Sequence, residues 1–205
     1  MMTEFETVLA VGDRLVLRDP LPTDLDDLLR MRSQGEWLQF DAPWDNQAGP
    51  LDPSAEDRFR AQFLENCSQP RSNPRQFALI AVPSGAPFGI VSRSPDAHDL
   101  HGYMLGIDIF DDDRLNQGLG SEALRLWLDY LFRHSAVPAV ELETWSFNPR
   151  MRRVAHKLGF VCVHIQPHAR RWLDAWHDLL RYRLRRCDWQ SNHSDTSNRA
   201  PRPGQ

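Results

Sequence analysis

A single mixed α/β domain is the fold class predicted here, on three observations. Strand-like and helix-like hydrophobic patterns follow one another along the chain, with no internal repeat. The 205 residues are 41% hydrophobic and 25% charged, which suits one domain with a sizeable core. A glycine-bearing turn, Arg114-Leu-Asn-Gln-Gly-Leu-Gly-Ser-Glu-Ala-Leu124, also leads directly from a strand pattern into a long apolar helix pattern.

The elements follow in order. Residues 13–19 alternate like a strand. Pro22-Thr-Asp-Leu-Asp26 reads as a helix start with Thr23 as N-cap, leading into Leu28, Leu29 and Met31. Phe40 to Pro53 has the composition of an ordered loop, with Pro43, Gly49, Pro50 and Pro53 around Trp44. Ser54-Ala-Glu-Asp57 is a second capping pattern and opens a helix through about Asn66. Gln76 to Val82, Phe88 to Arg93 and Tyr103 to Phe110 are strand patterns, with turns at Ser84-Gly85 and Ser94 to Leu100.

Leu119 to Arg133 is a helix with a narrow polar stripe of Glu122, Arg125, Asp129 and Arg133, so most of its circumference is expected to lie against a sheet. Ala139 to Trp145 reads as a strand, and Arg150 to Lys157 as a short helix closed by Gly159. Phe160 to Ile165 and Trp176 to Arg186 read as the last two strands. The domain is expected to span 1–187. Residues 188–205, polar and poor in apolar side chains, are expected to be a disordered tail.

Charge and cysteine usage narrow the function classes. A formal net charge of −4 argues against a general nucleic-acid binder. The alternative, an RNA surface built from Arg150, Arg152, Arg153, Arg170 and Arg171, is less favoured on that ground. Cys67, Cys162 and Cys187 lack metal-ligand spacing and are odd in number, so reduced thiols in a cytoplasm are expected, with neither disulfides nor a metal site. No secretory pattern opens the sequence and no apolar run is long enough to span a bilayer, so no membrane partner is expected.

The glycine turn carries chemistry. Backbone N–H groups converging there, with the positive end of a helix dipole behind them, form a site suited to phosphate. Gly118 and Gly120 supply unusual dihedrals or close backbone approach. Asn116 and Gln117 keep the turn polar and uncharged. The turn lacks the Gly-Lys-Ser/Thr ending of a nucleotide P-loop and the three-glycine spacing of a dinucleotide fingerprint. An ordinary strand-to-helix loop is the competing reading.

A second element lies downstream: a strand, a polar turn holding Asn148, and a short helix ending Lys157-Leu-Gly-Phe160. Together the two motifs resemble the GCN5-related N-acetyltransferase (GNAT) superfamily, and within it the ribosomal-protein N-acetyltransferase (RimJ/RimL) branch. The resemblance covers most of residues 12–187, with Arg170 to Leu180 similar to the closing hairpin of that branch. It implies a central, mostly antiparallel sheet splayed between its fourth and fifth strands, with helices on both faces.

It also implies acetyl-CoA as acyl donor, without a metal. Leu115, Asn116, Gln117, Gly118, Leu119, Gly120 and Ser121 would hold its pyrophosphate through backbone N–H groups. The strand ending Asp108-Ile109-Phe110 would pair with the pantetheine arm and polarise the thioester carbonyl. Asn148 would bond to pantetheine from the neighbouring strand. The reaction implied is direct acetyl transfer to a primary amine, on a protein N-terminus or a small cationic molecule. Dimers are common among such enzymes, which leaves a homodimer open.

Two departures stand out. Leu115 occupies a place that commonly carries Arg, Gln or Trp, and a backbone-mediated site tolerates this. Ala155 stands where many members have the Tyr that protonates the leaving thiolate, so a general acid is missing or comes from elsewhere, such as water. This keeps a second reading open, a catalytically silent acetyl-CoA-binding regulatory module. For the base, Asp108 and Glu143 are the carboxylates nearest the expected acyl position, each with a solvated strand carboxylate as the alternative. Trp145 could line the amine pocket by a cation–π contact or simply pack. Asp41, Asp45 and Asp52 around Trp44 could favour a cationic acceptor or be an ordinary solvated loop.

Overall fold

Strand alternation sorts the apolar side chains onto two faces of one open sheet. The computed structural model describes residues 8–40, 42–44, 52–68, 71–83, 85–96 and 102–194. Its strands are β1 (Val8–Val11), β2 (Val16–Arg18), β3 (Phe77–Ala81), β4 (Pro87–Pro95), β5 (Tyr103–Ile109), β6 (Ala139–Trp145), β7 (Val161–Trp172) and β8 (Ala175–Arg185). Their order in the sheet is β1-β2-β3-β4-β5-β6-β8-β7, and only β5 and β6 pair in parallel. The helices are α1 (Leu25–Arg32), α2 (Pro53–Ser68), α3 (Leu119–His134), α4 (Pro149–Lys157) and α5 (Arg186–Ser194).

β3 divides the two cores. Ala78 and Ile80 join Leu124, Trp127, Leu128 and Leu131 of α3 on one face. Leu79 between them joins Leu25, Leu28 and Met31 of α1, with Trp37 and Phe63, on the other. A strand buried on both faces reads as a continuous apolar run, as Phe77–Ala81 does. The expected architecture, a mostly antiparallel sheet with helices on both faces, is present.

Several boundaries differ from expectation, four of them for a visible reason. Asp13 to Leu15 turn the chain between β1 and β2, where the Gly12 N–H donates to the Leu15 carbonyl (2.8 Å), so only 16–18 of the expected 13–19 strand is extended. Thr23 does not cap: it lies in a short 3₁₀ turn, Pro22–Asp24, and the working carboxylate is Asp24, which accepts from the Leu21 N–H and pairs with Arg18. The second cap is Asp52 rather than Ser54, since the Ala55 N–H and the Ser54 hydroxyl both donate to Asp52. The expected tail begins as helix α5, because Trp189 is buried against Phe132 and its indole N–H donates to Asp129 (2.9 Å). Asp41, Asp45, Gly49, Pro50, Ser84 and residues 195–205 lie outside the described residues.

Candidate active site

The sheet opens where β5 and β6 part. They pair at Tyr103/Val140, Met104/Glu141 and Leu105/Leu142 and no further. Beyond that point β5 stays bonded to β4 as far as Ile109, and β6 stays bonded to β8 as far as Trp145. The facing edges of Gly106–Ile109 and Glu143–Trp145 are therefore unpaired with each other, and a cavity of about 620 Å³ lies between them. This is the splay expected between the fourth and fifth strands of the sequence reading, displaced one count by the extra N-terminal strand.

Parity decides which β5 amides face the opening. The Phe110 N–H donates to the Phe88 carbonyl on the β4 side (2.9 Å). Strand alternation then turns the Ile107 and Ile109 N–H groups to the open edge. Phe110 is thus a correction: its amide is taken, and its side chain packs in the second core against Trp37, ring centroids 5.1 Å apart. Ile109 and Asp108 do line the cavity.

One end of the cavity is the glycine turn. Leu115, Asn116, Gly118, Leu119, Gly120 and Ser121 line it. Gly118 takes φ +80°, a left-handed conformation that side chains resist, and so turns the chain into the first residue of α3. An added Cβ on Gly120 would sit 3.9 Å from Ile107 and Ile109, so glycine there keeps the surface flat where a ligand would pass. Gln117 is absent from that lining: its carbonyl accepts from Arg14 (2.7 Å) and its side-chain amide donates to the Asp113 carbonyl, which leaves only its backbone N–H for the role expected of it.

The opposite wall comes from β6 and α4. Asn148 lines the cavity and also caps α4, its Oδ1 accepting from the Met151 N–H (3.0 Å), which leaves its amide NH₂ as the group able to donate to a ligand. Pro149 at the first helical position fits the same start. Ala155 is fully buried in the main core, and no tyrosine lines the cavity among the described residues. Sequence reasoning weighed Arg150 and Arg153 only for an RNA surface and passed over Lys157, so it missed that all three line this cavity, because a basic helix face looks like an ordinary solvated one.

The two candidate carboxylates face different surroundings. Glu143 lines the cavity, and its Oε1 accepts two bonds from Arg181 (2.9 and 2.7 Å). Glu141, two residues away on the same face of β6, is only 1% exposed and lies between Arg181 and Arg183 of β8. Asp108 lines the cavity from β5. Trp145 lines it as well, and also packs edge-on against Trp44 (4.6 Å) and stacks on Phe147 (6.2 Å).

Glu122, expected on an exposed stripe of α3, is buried. Burial would raise its carboxyl pKa, but the Arg14 backbone N–H and guanidinium, with the Asp13 N–H, outweigh that and hold it below its ordinary value. Asp52 is likewise lowered, by the Ser54 hydroxyl and the Ala55 N–H. Among the described residues no group of His, Cys, Asp and Glu is arranged to hold a metal ion, and no helix is long and apolar enough to cross a membrane.

Comparison with known proteins agrees with this architecture. Several solved structures superpose over most of the chain. Spermidine N-acetyltransferase from Vibrio cholerae, in complex with CoA and spermine, does so with TM-score 0.68 at 14% identity, covering 87% of this chain and 99% of that one. A GNAT-family acetyltransferase from Bacillus anthracis gives 0.66 at 17% identity, covering 85% and 96%. RimL, the ribosomal L7/L12 α-N-protein acetyltransferase, in complex with coenzyme A, gives 0.65 at 16%, covering 89% and 99%. No curated protein sequence matches significantly. The acetyltransferase (GNAT) domain model matches residues 14–161, and the chain belongs to that family, the GNAT N-acetyltransferases.

Proposed function

We propose that this N-acetyltransferase binds acetyl-CoA with the pyrophosphate on the 115–121 turn and passes its acetyl group directly to a primary amine. The observation that carries the reading is the conjunction of an open strand edge with a left-handed glycine at a helix start, both lining one cavity. A phosphate at the turn would meet backbone N–H groups and the helix dipole. Pantetheine would run along β5, with the Ile109 N–H set to bond to the arm or to the thioester oxygen. The amide NH₂ of Asn148 would hold the arm from the other wall.

Chemistry follows from that pose. The neutral amine attacks the thioester carbonyl carbon, an oxyanion forms and collapses, and the C–S bond breaks. The ammonium proton leaves to Glu143, with Asp108 as the competing acceptor. Water protonates the thiolate, since Ala155 supplies no acid, and the α4 cations stabilise the developing negative charge. The acceptor is a protein N-terminus or a small amine, the classes named for RimL and for the Vibrio cholerae enzyme. A catalytically silent acetyl-CoA-binding module is the second reading, favoured by Ala155 and by the Arg181 pairing of Glu143.

Calorimetric titration with acetyl-CoA tests the cofactor assignment. Wild-type protein should bind, Gly118→Ala should bind more weakly, and Gly118→Glu should not bind. The alanine Cβ has room, its nearest neighbour being 3.6 Å away, so left-handed strain of about 1–2 kcal/mol is its main penalty. The glutamate adds a charge against the phosphates. Equal binding by Gly118→Glu would end the assignment. Thiol release over a panel of amines and N-terminal peptides then separates enzyme from silent module.

A further inference from the structure

Arg14 stands at the β1–β2 turn, on the outer side of the glycine loop. It lines a second hollow that shares Gly118, Ser121 and Lys157 with the main cavity, whose own wall Arg14 does not join. Its Nη1 donates to the Gln117 carbonyl at 2.7 Å. Its backbone N–H reaches Glu122 Oε1 (2.9 Å), and its Nε and Nη2 reach Oε2 (2.9 and 2.8 Å). Gly12 makes the arrangement possible, since a Cβ there would come within 2.6 Å of Glu122 Oε1.

The bond to Gln117 fixes more than a carbonyl. The Gln117 C=O and the Gly118 N–H belong to one planar trans peptide and point in opposite directions. Drawing the carbonyl outward to Arg14 therefore aims the Gly118 N–H inward, to the cavity side. Without that anchor, a peptide beside a left-handed glycine can rotate and present oxygen instead of hydrogen to a bound anion. The second contact acts on charge. Glu122 is a buried carboxylate in the first turn of α3, beside the place proposed for a pyrophosphate, and Arg14 neutralises it.

We propose that Arg14 is a positioning residue for the phosphate loop, latching the 117–118 peptide in the donor orientation and cancelling the Glu122 charge behind it. This rests on the assignment of acetyl-CoA pyrophosphate to that loop. The effect should appear only with ligands that carry phosphate. Titration followed by tryptophan fluorescence, with CoA and with S-acetylpantetheine (which has no phosphate), separates the latch from a general structural role.

Arg14→Gln should bind CoA about tenfold or more weakly, the loss of one charge-assisted bond, while its affinity for S-acetylpantetheine stays within about twofold. Arg14→Lys, which keeps the charge but lacks the fork to hold both partners, should fall between. It also keeps the test decisive if Arg14→Gln does not fold. Equal CoA affinity in wild type and Arg14→Lys, or equal weakening towards both ligands, would overturn the latch. Failure of the wild type itself to bind CoA would instead remove the acetyl-CoA reading on which it rests.

Discussion

A carboxylate beside a thioester can take a proton only if its lone pairs are free to do so. Glu143 spends one oxygen on Arg181, yet it faces the cavity between the parted strands. Arg181 is itself shared with Glu141, 3.6 Å away, so it is a cation between two acids rather than a dedicated partner. In the proposed reaction the second oxygen of Glu143 would then accept the proton, directly or through one water. Glu143→Gln should keep acetyl-CoA affinity and lose about 10²–10⁴ in turnover at neutral pH, with partial rescue at alkaline pH as free amine accumulates. Asp108→Asn, measured in the same steady-state assay, is the control. A crippled Asp108→Asn beside a healthy Glu143→Gln reverses the roles, and two active variants mean that no side chain is the base.

At the scale of elements, Asn148 serves two masters that substitution can separate. Its Oδ1 caps α4, and its NH₂ is the group assigned to pantetheine. Asn148→Ser retains a good cap, so its melting temperature should stay near wild type while acetyl-CoA affinity drops. Asn148→Ala should lose the affinity and about 1 kcal/mol of stability as well. Thermal melts paired with calorimetry read both, and a serine variant that binds normally would leave Asn148 as a cap alone. This double role also marks where sequence stops being informative. The turn, the long helix and the Asn148 corner were legible because each is local: a glycine, an apolar stripe, a cap before a proline. Phe110 was misplaced because strand parity depends on which neighbour takes its N–H, and that neighbour is β4. Glu122 looked solvated because a helical wheel carries no information about Arg14, which comes from a distant turn. The Arg14 bond to the Gln117 carbonyl was invisible for the same reason.

For the whole molecule, the sheet has a long exposed hairpin at one edge and a packed helix beneath its centre. Val161, Val163 and Ile165 of β7 are all exposed, so β7 contributes little burial to the fold. α5 does the opposite. It follows β8 directly, folds back, and places Trp189 (3% exposed) on the main core beside Phe132, with its indole tied to Asp129 of α3. Arg186 at the start of α5 also donates to the carbonyls of Ser135 and Val137, which closes the turn from α3 into β6. Both contacts brace α3, the helix whose first turn carries the proposed phosphate loop. A chain cut after residue 187, the boundary that composition suggests, should therefore be destabilised by about 3–5 kcal/mol, comparable with Trp189→Ala. A chain cut after residue 194 keeps α5 and is the reference for that loss. The truncation should also weaken acetyl-CoA binding if α3 shifts. Equal melting temperatures for the two truncations would show that α5 adds nothing to the core and would return the domain boundary to residue 187.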